Sequence, residues 1–133
     1  MHTRKRFLVI SSDAVGRDLL SVSLKRHGGA VWSAATVGEA PQALANEAPF
    51  DAAFLDIRQN SATDEDACAQ VVSHKASGQV RHVICIVERN DLERRRVIHV
   101  SGADALVVWP PEDGDVERVL ELAERAEKGD HHA

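Results

Sequence analysis

The chain has 133 residues, and its 21 Asp and Glu against 16 Lys and Arg give a formal net charge of −5. This length is typical of one domain with its own hydrophobic core. With 44% hydrophobic and 28% charged residues, the composition excludes an intrinsically disordered chain. The acidic balance argues against nucleic-acid binding, and no apolar run approaches the roughly 18 residues that span a bilayer. We therefore expect a globular protein that binds neither nucleic acid nor membrane.

The two cysteines, Cys68 and Cys85, are too few to staple a domain of this size. We expect them to be buried thiols in a reducing cytoplasm rather than a bridge. The first residues lack the apolar segment of a signal peptide, which also favours a cytoplasmic location. No linker or low-complexity segment divides the chain, so we expect one domain over residues 1–128 and a disordered tail over 129–133.

Short apolar runs and helical stretches alternate along the chain. The runs consist of consecutive apolar residues, a pattern typical of parallel strands that are buried on both faces. These predicted strands lie at 7–10, 30–34 (the weakest), 52–55, 83–87 and 105–108. The predicted helices lie at 13–27, 38–47, 64–76, 91–101 and 113–128. Parallel strands joined by helical crossovers form a three-layer α/β sandwich, in which ligands bind at the carboxyl ends of the strands.

The first predicted helix has the clearest pattern. Its apolar residues at helical spacing form one broad stripe, and Gly28-Gly29 supplies the left-handed residue that ends such a helix. The stripe consists of Val15, Leu19, Val22, Leu20 and Leu24. Trp32, in the weakest strand, is expected to pack partly against this helix.

Several segments, taken in order, resemble those of one family. Phe54-Leu55-Asp56-Ile57-Arg58 is similar to the segment around its phosphorylated aspartate, and Gly102-Ala103-Asp104, followed by an apolar strand and Trp109-Pro110, is similar to its Gly-Ala-Asp…Lys-Pro ending. The chain thus resembles the receiver domain of bacterial two-component response regulators over almost its whole length. The resemblance implies a flavodoxin-like, doubly wound sheet of five parallel strands in the order 2-1-3-4-5. It also implies a role in phosphorelay signal transduction.

In that family, an aspartate at the end of the third strand takes a phosphoryl group from a histidine kinase. Two acids after the first strand hold Mg²⁺, a Thr or Ser after the fourth strand bonds the phosphoryl oxygen, and a Lys before the last proline pairs with it. An aromatic residue in the fifth strand then reports the phosphorylated state.

Only the first of these parts is kept in the present sequence, where Asp56 matches the phosphoacceptor position. The other pocket positions are degenerate. Ser11 and Ser12 replace the acids, Val87 replaces the Thr or Ser, Trp109 replaces the Lys, and Leu106 replaces the switching aromatic. The backbone carbonyl of Arg58 is the remaining metal ligand that the resemblance implies.

These departures weaken the case for a metal. Mg²⁺ is held mostly by carboxylates in near-octahedral geometry, and two serine hydroxyls do not replace two negative charges. We therefore expect no cofactor, and Mg²⁺ binding that is weak or absent. Asp13 is one residue late for the acid pair and is expected in the first helical turn, where a carboxylate meets the helix dipole. Arg58 and Arg89 are candidates to supply positive charge to the pocket, but we expect both to be solvated loop residues.

The sequence therefore predicts an atypical receiver, or pseudo-receiver, that is not an enzyme and acts through protein–protein interaction. The alternative is a functional receiver that a histidine kinase phosphorylates on Asp56 despite the degenerate pocket. Asp56 also has a purely structural interpretation, in which it accepts hydrogen bonds from the backbone of the following loop. A nucleotide- or flavin-binding domain is poorly supported, since the loop after the first strand has neither a Gly-x-Gly-x-x-Gly motif nor a P-loop.

Trp109 leaves three interpretations open. The ring lies over Asp56 and fills the vacated site, or projects as an anchor in an interface, or only packs on Pro110-Pro111. The bond between Trp109 and Pro110 is a candidate cis peptide, as is the family's Lys-Pro bond.

Charge points to an interface near the last strand. A basic run at 94–96 lies in the predicted helix 91–101, whereas acidic residues dominate 112–127. In the fold that the resemblance implies, these helices flank the last strand, and complementary charge there favours a homodimer. The alternative is that both are solvated helix faces. A histidine kinase, an output domain or another signalling protein is the expected partner. The candidate switch and interface residues are Leu106, Trp109, Arg95 and Arg96.

Overall fold

The computed structural model describes residues 5–47, 49–58, 64–88 and 102–110, and positions 114, 115, 117, 118, 121 and 125. The strands are β1 (Arg6–Ile10), β2 (Ala30–Ala34), β3 (Phe50–Asp56), β4 (Val80–Val87) and β5 (Ala105–Val108). The helices are α1 (Ala14–Arg26), α2 (Ala40–Glu47, after a 3-10 turn at Val37–Glu39) and α3 (Asp64–Ala76). Among the described helices, none is long and apolar enough to cross a membrane.

The predicted helix 91–101 lies outside the described residues, and so do Arg89, Arg95 and Arg96. The described positions within the predicted helix 113–128 are helical.

The five strands form one parallel sheet in the order β2-β1-β3-β4-β5. Both the fold class and the strand order that were predicted from the sequence are therefore confirmed. In this order the carboxyl ends of β1 and β3 are adjacent at the centre of the sheet, where Ile10 pairs with Leu55.

The central strands β1, β3 and β4 bury side chains on both faces, which explains why their apolar runs are continuous. Along β1, Phe7 and Val9 belong to the cluster that contains Leu20 and Leu24 of α1. Leu8 and Ile10 belong to a second cluster on the opposite face, with residues of α2 and α3. This alternation is the expected pleat of a strand that is covered by helices on both sides.

Helix α1 begins at Asp13, whose carboxylate accepts a hydrogen bond from the Val15 amide. It ends before Gly28, which has a φ of 87°. The prediction of a single apolar stripe is wrong, because the apolar residues of α1 form two rows on different sides of the helix. Leu20 and Leu24 are buried against the sheet together with Gly16, and the other row is exposed. The exposed row consists of Val15, Leu19 and Val22.

The prediction that Trp32 packs against α1 is wrong. Trp32 pairs with Leu8 across the strands, and both belong to the face of the sheet that α2 and α3 cover. The indole meets the Phe50 ring edge-on at 5.7 Å, and the Arg6 guanidinium lies 4.5 Å from the indole centroid. The side-chain direction is set by the pleat, since paired residues on adjacent strands point to the same face.

Cys68 and Cys85 are buried thiols that form no disulfide, and their Sγ atoms lie 3.8 Å apart. The prediction of buried thiols rather than a bridge is therefore confirmed.

Asp104, the last residue of the Gly-Ala-Asp motif, ties β5 to β4 and α3. Its carboxylate accepts hydrogen bonds from the Val83 amide at 2.8 Å and from the Lys75 ammonium at 2.8 and 2.9 Å. The Nδ1 atom of His82 lies 3.8 Å away. Partial burial raises the pKa of Asp104, but the contacts with His82, Lys75 and the Val83 amide outweigh it and lower that pKa to about 2. In this chain the motif anchors the amino-terminal end of β5, the strand that leads to Trp109.

This pKa predicts a pH-dependent contribution to stability. Because the pKa is depressed in the folded state, the contribution is complete above about pH 4 and is lost as the pH falls toward 2. We expect Asp104→Asn to lower the free energy of unfolding at pH 7 by roughly 1–2 kcal/mol, and this difference to shrink at pH 3. Urea unfolding at both pH values measures it. A difference of the same size at pH 3 and pH 7 would show that the charge of Asp104 contributes nothing.

Candidate functional site

The candidate site lies at the carboxyl edge of the sheet, where the strand order brings four strand ends together. Ser11 follows β1, Asp56 is the last residue of β3, Val87 is the last residue of β4, and Trp109 follows β5. Ser11 contacts Asp56 directly. Asp56 and Trp109 are joined through the side chain of Arg58, which the sequence analysis assigned to solvent.

Asp56 has both carboxylate oxygens engaged. Its Oδ1 atom accepts hydrogen bonds from the backbone N–H and the Nε–H of Arg58, both at 3.0 Å. Its Oδ2 atom accepts from the Ser11 hydroxyl at 2.7 Å and from the Arg58 Nη2 at 2.8 Å. The carboxylate side chain is only 5% exposed. The geometry is the bidentate, charge-assisted pairing that a planar guanidinium favours.

Arg58 also binds a second carboxylate and an aromatic ring. Its Nη2 donates to Asp13 Oδ2 at 2.9 Å, and its Cζ lies 3.8 Å from the centroid of the Trp109 ring. With its side chain 12% exposed, Arg58 is no solvated loop residue, so that prediction is wrong. The physical reason is that two carboxylates and an indole face together offset the desolvation of one guanidinium.

Gly16, in the first turns of α1, makes room for this arrangement. A Cβ atom at this position would lie 2.9 Å from Arg58 Nη2, 3.0 Å from Asp13 Oδ2 and 3.0 Å from Trp109 Cη2. These distances are shorter than ordinary van der Waals contacts, so even alanine would displace the guanidinium, the carboxylate or the ring. The lack of a side chain at Gly16 thus sets how closely α1 approaches Arg58.

Asp13 has two roles in the structure. It is the N-cap of α1, one residue before the first helical turn in which it was expected, and it is also the second carboxylate of the Arg58 pair. The hydrogen bond from the Arg58 guanidinium lowers the pKa of Asp13 below its usual value, and the amides of Gly16 and Val15 lower it further. Asp13 therefore links the start of α1 directly to the end of β3.

The other predicted pocket and switch residues differ in their burial and in their hydrogen bonds. Ser11 is buried, and Ser12 beside it is exposed. Val87 is completely buried, and its carbonyl accepts a hydrogen bond from the Trp109 amide at 2.8 Å. Leu106, in β5, is half-buried, and its carbonyl accepts a hydrogen bond from Arg118.

Trp109 reaches the site through Arg58, an arrangement that none of its three predicted interpretations included. The ring contacts the guanidinium that binds Asp56, so it belongs to the pocket rather than to the following prolines alone. The peptide bond between Trp109 and Pro110 is cis, as the resemblance suggested.

The donor set does not fit Mg²⁺. Two carboxylates of the pocket, those of Asp13 and Asp56, are both within 2.9 Å of the same guanidinium nitrogen. The Ser11 hydroxyl donates its proton to Asp56 and brings no negative charge to a metal site. A cation is thus already paired with the charges that a metal would need.

The sequence analysis placed the backbone of Arg58 in the pocket but not its side chain, and it missed Gly16. Two local signals were available: an arginine two residues after a strand-end aspartate, and a glycine near the start of a helix, where it is less favourable than alanine by about 1 kcal/mol. Neither signal identifies the third partner, Trp109, because that contact depends on the packing of β5 beside β4.

The Arg58–Asp56 pair predicts a large coupling between the two residues. We expect Arg58→Ala to lower the free energy of unfolding by about 3 kcal/mol, because it leaves a buried carboxylate without its cation. Combining it with Asp56→Asn should restore part of this loss, since no unpaired charge then remains. Urea unfolding of the two single variants and the double variant measures the coupling.

Arg125→Ala, at an exposed arginine within the predicted helix 113–128, is the control and should change stability by no more than about 0.5 kcal/mol. If Arg58→Ala were equally mild, the guanidinium would not hold the site together.

A scan against protein-family models finds none that matches this chain, and a search of curated proteins finds no match either. Solved structures do match. A CheY-like response regulator receiver domain protein from Methanospirillum hungatei JF-1 has a TM-score of 0.79 and 25% sequence identity, covering 96% of this chain and 99% of its own.

Two further matches share the fold. A response regulator receiver domain protein from Clostridium thermocellum has a TM-score of 0.78 and 18% identity, covering 93% of this chain and 97% of its own. A response regulator receiver protein from Pseudomonas putida has a TM-score of 0.74 and 19% identity, covering 91% and 98%. The chain therefore has the receiver-domain fold of the CheY-like response regulators, as the resemblance of its sequence implied.

Proposed function

We propose that this chain is an atypical receiver domain that acts in two-component-type signalling by binding another protein, without Mg²⁺-dependent phosphorylation of Asp56. The observation that carries the proposal is the bidentate pairing of Asp56 with Arg58, described above. On this proposal the domain is not an enzyme and has no cofactor.

The pairing works against Asp56 as a nucleophile. Attack on a phosphodonor requires a lone pair on Oδ1 or Oδ2 in line with the leaving group, and phosphoryl transfer depends mostly on such positioning. Both oxygens of Asp56 accept two hydrogen bonds, and the carboxylate is almost completely buried. The reaction would first have to break the contacts with Arg58 and Ser11, which raises its barrier.

The groups that would transmit phosphorylation are also unsuitable. Val87 has no hydroxyl to bond a phosphoryl oxygen, and it is fully buried in the sheet. Leu106 has no polar atom on its side chain with which to report a change of state. Both features favour a domain that holds one conformation and is recognised in it, rather than a two-state switch.

One observation favours phosphorylation by a histidine kinase as a second candidate. Arg58 Nη2 lies 2.8 Å from Asp56 Oδ2 and so stands where it could pair with a phosphoryl group on that oxygen, in place of the family's lysine. The cation that protects the carboxylate in the present arrangement would then stabilise the product.

The proposal places the domain in the cytoplasm beside a signalling protein. The thiols of Cys68 and Cys85, which form no disulfide with each other, support a reducing compartment. The partner is a protein rather than a nucleic acid or a membrane, which agrees with the acidic net charge of −5.

The proposal predicts that Asp56 does not react with a small phosphodonor. After incubation with Mg²⁺ and acetyl phosphate, the intact mass of the chain should equal that of Asp56→Ala treated in the same way. A receiver domain with the acid pair, the Thr or Ser and the Lys serves as the positive control. An added phosphoryl group that is present in the wild type and absent from Asp56→Ala would support the second candidate instead.

A further inference from the structure

Helix α1 exposes a row of large apolar side chains that the fold does not use. Val15, Leu19 and Val22 are 66%, 55% and 53% exposed. Among the side chains that the structure describes, these are the large apolar ones left exposed. Single exposed apolar residues are ordinary, but a contiguous row marks an interaction surface.

The spacing makes this row one straight seam. Steps of four and then three residues keep the three side chains on the same side of the helix, and a further step of four reaches Arg26, which is also exposed. The buried row of α1 lies on the other side, so the seam faces away from the sheet. A second helix could therefore lie along it without disturbing the fold.

The charges beside the seam are arranged with opposite signs at its two ends. Asp18 is exposed near the first half of α1, whereas Lys25 and Arg26 are exposed at its end. A parallel second copy of α1 would place like charges side by side. An antiparallel copy would place the acidic half of each helix beside the basic end of the other, which is favourable at both ends.

We infer that this face of α1 binds a second copy of the chain, with the two α1 helices antiparallel about a two-fold axis between Leu19 and Val22. In this arrangement Leu19 of each copy packs on Val22 of the other, and Val15 packs on the aliphatic stem of Arg26. Asp18 of each copy then lies within one helical turn of the other copy's Arg26. Such a contact is isologous and closes as a dimer.

This face of α1 differs from the dimer surface that the charge pattern predicts, which is formed by the predicted helices 91–101 and 113–128. The first of those helices lies outside the described residues. A seam of one helix buries little area, so the dimer should be weak and dependent on concentration. The inference rests on the proposed function only in assigning the output of the domain to a contact between proteins. The α1 dimer does not depend on whether Asp56 is phosphorylated.

Sedimentation equilibrium of the full chain, from micromolar to millimolar concentration, tests the inference. We expect the average mass of the wild type to rise toward that of two chains, and Leu19→Asp to weaken association by about tenfold or more. Ala45→Asp, an exposed alanine on α2, is the matched control and should associate like the wild type. A wild type that stays monomeric throughout, or a dimer that survives in Leu19→Asp, would overturn the inference.

A charge exchange makes the test specific for the antiparallel arrangement. Asp18→Lys and Arg26→Asp should each weaken the dimer, and the double variant should recover it. The two positions are about 12 Å apart along one helix, so they do not pair within a chain. Failure of the double variant to recover would overturn the antiparallel contact.

The phosphodonor experiment is independent of these measurements. Phosphorylation of Asp56 together with an α1 dimer would contradict the proposed function alone, whereas an unreactive monomer would contradict the dimer alone.

Discussion

One guanidinium holds together the parts of the site. Arg58 pairs with Asp56 at the end of β3, with Asp13 at the start of α1 and with the ring of Trp109 after β5. Asp56 and Asp13 would repel each other without a cation between them, and a buried carboxylate without a partner is strongly destabilising. The arrangement of the pocket therefore depends on this residue more than on any of the family positions that have been replaced.

The same interaction accounts for how the pocket departs from the family pattern. Where the family has a metal and a lysine to neutralise charge, this chain has a side chain that cannot dissociate and that remains charged at any ordinary pH. Serines at positions 11 and 12 are compatible with this pairing. Carboxylates there would add negative charge beyond that of Asp13 and Asp56, which already pair with the single positive charge of Arg58. Because the charges of the pocket are already paired with one another, the proposed function assigns protein binding to the outer surface of the domain rather than to this pocket.

Features that depend on chain-wide patterns could be predicted from the sequence. The consecutive apolar runs and the helices between them predict the parallel sheet, and adjacent strand ends place Ser11 beside Asp56. The path of the Arg58 side chain could not be predicted, because its partners come from three different elements and its space depends on Gly16. The exposure of Val15, Leu19 and Val22 could not be predicted either. The sequence of α1 contains two apolar rows, and only the packing of the helix determines which row contacts the sheet.

The central claim is that the Arg58 guanidinium is fixed between two carboxylates, and ¹⁵N NMR of arginine side chains tests it most directly. The account predicts, at neutral pH, a slowly exchanging Nε–H signal for Arg58 and separate Nη signals, because the bidentate bonds hinder rotation about Cζ–Nη. Both features should disappear in Asp56→Asn. A rapidly exchanging Nε–H with averaged Nη signals, like those of a fully solvated arginine, would contradict the account.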